Sequence, residues 1–315
     1  MRLLSGTFRC QGSGMRRLAL ACCFLGLAAC ERKPTEPRIS FSDVEIPAQE
    51  VPRPVKPIRI AIASIVSPQR NLRDYERMLQ YLGRKLGMPV EVVQRSGYSE
   101  CIALIENREI DAAFVCSGPY VDARERFGAE ALVVPQVSGQ GTYCAYVIAR
   151  KGGSIRSFAD LRGKVFAFTD PLSTTGKLYP SHLLSKLGLT AEAYFSKTIF
   201  TWGHDNSVEA VAHGLADGAA VSSLVWDGLA RSGASAASQT MVIERSLPFG
   251  MPPVVVHPRL DPELKKRLRD VFLNMHRDPE GKALLSQAGI ERFTEAKDSA
   301  YDGVRRMRAT VTKAR

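Results

Sequence analysis

From Ile58 onward the chain alternates between two hydrophobic periods. Ile58-Arg59-Ile60-Ala61-Ile62-Ala63 has a β-rich alternation, and after a Ser67-Pro68 turn Leu72, Tyr75, Leu79, Leu82 and Leu86 recur at helical spacing until Gly87. Val90-Glu91-Val92-Val93 reads as a short strand. A helix over about 98–108 then leads into a strand over Ile110-Asp111-Ala112-Ala113-Phe114-Val115. Val165-Phe166-Ala167-Phe168 is continuously apolar, as in strands covered on both faces. The alternation predicts an α/β protein with helices packed on largely parallel sheets. The body of about 258 residues accommodates one barrel or two smaller sandwiches, but there is no fixed-period repeat and the strands are too few for eight βα units.

Ahead of the body the pattern changes twice. Residues 1–29 combine a basic pair, Arg16-Arg17, with an apolar stretch from Leu18 to Ala28. That stretch is shorter than the about 20 residues a membrane span needs, so it reads as an export signal, with Met15 a second candidate start. Leu27-Ala28-Ala29-Cys30 resembles a bacterial lipobox, which implies lipidation at Cys30. Residues 31–57 hold six prolines with five basic and five acidic side chains, a composition that favours an extended tether.

The composition, 45% apolar and 24% charged, is that of a globular protein with a substantial core. The formal net charge of +11 raises the question of a polyanionic partner. Its location answers it: the chain without residues 1–29 carries +7, the tether is neutral, and Arg305, Arg306, Arg308, Lys313 and Arg315 lie in an acid-free C-terminal stretch. The span 58–302 carries only +2, so no nucleic-acid partner is expected, and the basic end is read as a helix lying on the protein or near a lipid surface.

Four short motifs follow one another in the body: Gly118-Pro119-Tyr120, Asp160-Leu161-Arg162-Gly163-Lys164, Asp170-Pro171-Leu172-Ser173-Thr174-Thr175-Gly176 and Gly203-His204-Asp205-Asn206-Ser207. In this order, over roughly 58–290, they resemble the periplasmic substrate-binding proteins of phosphonate, phosphite and phosphate ABC transporters. The resemblance implies a two-lobed type II periplasmic binding protein fold. Each lobe would be a mixed sheet flanked by helices, with 58–143 plus 251–315 forming lobe one, 144–250 forming lobe two, and the ligand in the cleft between. It also implies a small oxyanion ligand, a monomer, and delivery to an inner-membrane ABC permease. A ligand-sensing adaptor of the same fold, signalling to a membrane kinase or receptor, is the alternative.

The residues themselves point to an anion. A strand ends near Thr169 and a helix carrying Leu183, Leu184 and Leu187 starts near Gly176, so Ser173, Thr174 and Thr175 cluster at a helix N-terminus whose free N–H groups favour negative charge. Capping of that helix by Ser173 or Thr174 fits the segment alone equally well; the resemblance favours a ligand site that includes Gly176. His204 precedes a helix carrying Val208, Val211 and Leu215 that Asp205 or Asn206 is placed to cap, and the resemblance makes His204 a ligand contact. Tyr98 and Tyr120 are cleft phenols on the same basis, with Ser64 and Ser67 weaker members of the set. Aminoalkylphosphonate binders of the family are expected to carry an acid where this chain has Ser222, so an amino-substituted ligand is disfavoured. Trp202 and Trp226 are read as packing aromatics.

Beyond the leader and Cys30, three cysteines remain: Cys101, Cys116 and Cys144. They are read as free buried thiols, with a Cys116–Cys144 disulfide as the alternative. No spacing suggests a metal site, a phosphate loop, a dinucleotide turn or a catalytic triad, so neither a cofactor nor an enzymatic activity is expected.

Overall fold

Two mixed β-sheets, of six and five strands, take up all but two of the described strands of the body. The computed structural model describes residues 56–63 and 68–313. The leader, Cys30, the tether up to residue 55, Ser64 and Ser67 lie outside the described residues.

The first sheet begins with β1 (Ile58–Ala63), which is followed by α1 (Pro68–Leu86), β2 (Val90–Arg95), α2 (Tyr98–Glu106), β3 (Ala112–Phe114), α3 (Ser117–Phe127) and β4 (Glu130–Gln136). Strand β1 pairs in parallel with both β2 and β3. Its alternation serves two faces. Ile58, Ile60 and Ile62 pack with Met78, Leu79 and Leu82 of α1, while Ala61 and Ala63 face the cluster holding Tyr98, Ile102 and Ile105 of α2.

The chain then leaves through β5 (Thr142–Tyr143) and builds a second sheet from β6 (Ala145–Arg150), β7 (Val165–Phe168), β8 (Lys197–Phe200), β9 (Gly218–Ser222) and β10 (Thr240–Arg245), in the order β10-β6-β9-β7-β8. Its helices are α4 (Tyr179–Lys186), α5 (Ala191–Tyr194), α6 (His204–Ala212), α7 (Ser223–Arg231) and α8 (Ser235–Ser238). The return runs through β11 (Phe249–Gly250), which pairs antiparallel with β5 as a two-stranded ribbon, so both connections between the sheets lie side by side. Strand β12 (Val254–Val256) then inserts antiparallel between β3 and β4. Helices α9 (Pro262–Asn274) and α10 (Pro279–Gln287), strand β13 (Arg292–Thr294) and α11 (Asp302–Lys313) complete the body.

Strands β12 and β6 make the sheets mixed where the alternation alone suggested largely parallel pairing, because each enters from a connection between sheets rather than from a βα crossover. The expected helix over 98–108 stops at Glu106, and the strand expected over 110–115 shortens to Ala112–Phe114. Leu187 and Leu215, placed on helices by their spacing, lie beyond the helix ends and are 57% and 71% exposed. The helices end at Lys186 and Ala212, and both leucines fall in turns closed by left-handed glycines, Gly188 and Gly214.

Helix α11 lies against α3 and α4, with Val304 and Met307 buried. Its charge is answered locally: Arg305 pairs with Asp298 and Asp302, and Arg308 with Asp122 and Glu125. Of the two settings expected for the basic C-terminal helix, the described part occupies the surface of the protein.

Candidate functional site

The segment after β7 descends between the sheets, where Ser173, Thr174 and Thr175 are fully buried. Residues Thr174–Leu178 form a wide π-type turn that runs into α4, and the Ser173 hydroxyl accepts from the Gly176 N–H at 3.0 Å. The capping role foreseen for Ser173 is therefore real and occupies one lone pair, leaving its proton free to point elsewhere. Gly176 is required by packing: a Cβ there would lie 1.7 Å from the Thr169 hydroxyl oxygen and 2.7 Å from the Thr169 Cβ.

Thr174 turns toward the first sheet. Its hydroxyl accepts from the Gly118 N–H in the first turn of α3, and Ser117 Oγ and Cys116 Sγ lie 3.0 and 3.2 Å away. Helix α3 has Cys116 at its cap position and no side-chain cap of its own, so a hydroxyl from the other sheet's segment supplies one. Gly118 permits this approach, because a Cβ there would stand 2.8 Å from the Thr174 oxygen. Asp170 repeats the device on α2, whose cap is Gly97: its carboxylate accepts from the Tyr98 N–H at 3.1 Å and from the Leu172 N–H at 2.7 Å. Burial pushes the Asp170 carboxyl up despite these bonds. Tyr143 closes the cluster, its hydroxyl 2.7 Å from Ser117 Oγ and 3.1 Å from Cys116 Sγ.

His204 opens α6. The Ser222 N–H donates to its Nδ1 at 3.0 Å, which places the imidazole proton on Nε2, 3.5 Å from Ser173 Oγ. Burial lowers the imidazole to about 3, so the ring is neutral at physiological pH and acts through Nε2–H as an uncharged donor. Asp205 does not cap this helix: it is buried in the first turn, the cap residue is Gly203, and Asn206 bonds the Thr201 carbonyl.

Three of the hydroxyls singled out in the sequence, Tyr98 Oη, Thr175 Oγ1 and Ser222 Oγ, are buried without a hydrogen-bond partner. Thr169 Oγ1, packed against Gly176, is a fourth. Such groups are uncommon, because an unpaired buried hydroxyl costs about 1–3 kcal/mol. Burial, with Cys116 and Asp170 nearby, holds the Tyr98 phenol far above its ordinary range, so its proton stays on as a donor. The buried polar residues include hydroxyls, His204, Asp170 and Asp205, and no Lys or Arg among the described residues. An anion held here would be held by neutral donors and helix N-termini.

Tyr120 is not part of this group. Its hydroxyl donates to Asp298 at 2.7 Å and its ring packs on Tyr301 at 4.7 Å, which commits the proton the sequence reading had assigned to the cleft. Trp226 Nε1 bonds Thr240 Oγ1 in the packing role expected of it, and Trp202 is half exposed beside Gly97. The motif Asp160–Lys164 is structural: Asp160 and Ser157 form a reciprocal cap, and Gly163 turns the chain into β7. Cys101, Cys116 and Cys144 are free thiols, so the alternative disulfide is not formed. Asp170, Cys116, Ser117 and Tyr143 were not foreseen in the functional cluster. The available signal was that Gly97 and Cys116 start helices without a side-chain acceptor.

The family model of ABC transporter phosphonate periplasmic substrate-binding proteins matches residues 60–301. The chain belongs to this family. It is the substrate-binding component of a transporter and not an enzyme, and the family places it in the periplasm. It is 29% identical over 277 residues to the phosphate-import protein of Mycolicibacterium smegmatis, covering 79% of this chain and 84% of that one. It is 25% identical over 257 residues to the phosphonates-binding periplasmic protein of Escherichia coli K12, covering 80% and 76%. In fold it is similar to a binding protein component of an ABC phosphonate transporter from Pseudomonas aeruginosa (TM-score 0.77, 24% identity, 82% and 88% covered). It also resembles a Prochlorococcus marinus binding protein solved with methylphosphonate (TM-score 0.73, 18% identity, 82% and 99% covered). The two-lobed α/β fold is thereby that of the periplasmic binding proteins, and the sensing alternative is not favoured.

Proposed function

We propose that this protein captures a small phosphorus oxyanion, phosphite, phosphate or a phosphonate, between its two lobes and presents it to the permease of an ABC importer. The observation that carries the reading is the set of unpartnered buried hydroxyls of Tyr98, Thr175 and Ser222, together with the neutral Nε2–H of His204. Four uncharged donors fixed by a folded scaffold suit a tetrahedral anion, whose oxygens accept several hydrogen bonds at once. Ser173, Thr174 and Gly176 shape the turn that carries Thr175, and Ser64 and Ser67 are proposed as further ligand contacts.

Lobe one is assigned to 58–143 plus 251–315 and lobe two to 144–250, with the β5–β11 ribbon as the hinge. The contacts of Asp170 on α2 and Thr174 on α3 then act as latches, each joining a lobe-two side chain to a lobe-one helix start. Closure around an anion is favoured where the ligand interacts better with the closed arrangement, and that arrangement is the one the permease recognises. A lipid on Cys30 and the Pro-rich tether would hold this monomer at the membrane.

Calorimetric titration of the purified full chain with phosphite, phosphate and methylphosphonate tests the reading. Saturable binding is expected for at least one. In Thr175→Val the affinity falls at least tenfold, about 1.4 kcal/mol, without loss of thermal stability, since the hydroxyl removed has no partner in the protein. Absence of binding across the panel overturns the assignment.

A further inference from the structure

Four buried side chains close into a ring. Cys116 Sγ lies 3.2 Å from Thr174 Oγ1, that oxygen 3.0 Å from Ser117 Oγ, Ser117 Oγ 2.7 Å from Tyr143 Oη, and Tyr143 Oη 3.1 Å from Cys116 Sγ. In the first of these contacts the thiol is the donor. Thr174 Oγ1 also accepts the Gly118 N–H, so both its lone pairs are engaged and its own proton goes to Ser117. Ser117 then donates to Tyr143, and Tyr143 to the Cys116 sulfur. The opposite sense would strand the Ser117 proton and leave the Tyr143 oxygen and the Cys116 sulfur facing each other with no proton between them. All four protons therefore run one way round, an order in which each bond polarises the next. Burial holds the Tyr143 phenol far above its ordinary range, so its proton stays on to close the ring.

The ring divides the buried hydroxyls into two sets. Tyr98, Thr175 and Ser222 have no partner in the protein, whereas every member of the ring is donor and acceptor at once. The Thr174 hydroxyl is thus committed inside the protein, although it belongs to the motif that the sequence links to the ligand. Three pieces of chain meet in the ring: the start of α3 with Cys116 and Ser117, the turn that carries Thr175, and β5 with Tyr143. Strand β5 is half of the ribbon assigned above as the hinge.

We infer that Tyr143 is a positioning residue for ligand capture, coupling the hinge strand to the oxyanion turn through this ring without touching the ligand. That role rests on the oxyanion reading above. With the ring closed, Thr174 is fixed to the start of α3, and the next residue, Thr175, is held with its free hydroxyl ready for the anion. With the ring cut at any member the one-way order is lost and the turn is released from β5, so the anion must order it on binding and affinity falls. Because one cut already breaks the ring, a second adds little, which is the signature of residues acting as a unit.

The full chain is titrated by calorimetry with phosphite, phosphate and methylphosphonate, and the tightest of the three is carried to Tyr143→Phe, Ser117→Ala and the double variant, each checked for a cooperative thermal transition. Each single variant is expected to bind about fivefold weaker or more, and the double variant within about twofold of the weaker single. A loss of stability alone would leave the affinity of the folded protein unchanged. Should Tyr143→Phe not fold, the Ser117→Ala affinity decides alone. A smaller loss in either folded single variant, or losses that multiply in the double variant, overturns the role of Tyr143 and leaves the oxyanion reading standing. A wild type that binds none of the three brings down both.

Discussion

Acidification should destabilise this protein through one imidazole. His204 is buried, and its pKa falls from an ordinary 6.5 to about 3 because the charged form loses its hydration. The unfolded chain takes up the proton near 6.5 and the native chain does not until about 3, so the unfolded state binds more protons throughout that window. Stability is therefore complete above 6.5 and falls by about 1.4 kcal/mol per pH unit below it, levelling off near the native value. Between pH 8 and pH 5 the loss amounts to about 2 kcal/mol. His204→Asn supplies the reference: its side-chain oxygen can accept the Ser222 N–H that His204 Nδ1 accepts, and it does not titrate. Urea unfolding of both proteins at pH 8, 6.5 and 5 gives a stability difference that should shift by that amount, with groups common to both, such as Asp170, His182 and His257, cancelling. Parallel pH profiles would refute a buried neutral imidazole and with it the uncharged-donor site.

Gly176→Ala places a methyl 2.7 Å from the Thr169 Cβ, which no side-chain rotation relieves, so thermal unfolding should show a loss of about 1–3 kcal/mol; a change within 0.5 kcal/mol would contradict the packing argument. Tyr120→Phe removes the bond to Asp298 and should cost about 1.5–3 kcal/mol in urea unfolding, while oxyanion affinity in calorimetry stays unchanged. Trp202 lies 3.5 Å from where a Cβ on Gly97 would stand, one on each proposed lobe, so ligand titration should change tryptophan emission in the wild type and not in Trp202→Phe. A response that survives that substitution would place the reporter at Trp226.

Much of this architecture is legible in local pattern. β1 and β7 occupy the spans their apolar periods mark, and Thr175 and His204 lie at the helix starts expected near them, whereas Ser222 was singled out only by the family resemblance. What escaped is non-local. Asp170 reaches Tyr98 across 72 residues of sequence and Thr174 reaches Gly118 across 56, and no periodicity encodes such pairings. Tyr120 follows the expected Gly-Pro turn, yet its partner Asp298 lies 178 residues away, so its position was readable and its bond was not. Leu187 and Leu215 show the opposite error, since a helical period carried past the helix end places on it residues that belong to a left-handed glycine turn.

The central claim is that neutral donors from both lobes enclose one phosphorus oxyanion. A crystal structure of the protein grown with methylphosphonate tests it most directly. The phosphonate oxygens should lie about 2.7–3.2 Å from Thr175 Oγ1, Ser222 Oγ, Tyr98 Oη and His204 Nε2. Ligand density elsewhere, with these four groups still unpartnered, would contradict the account.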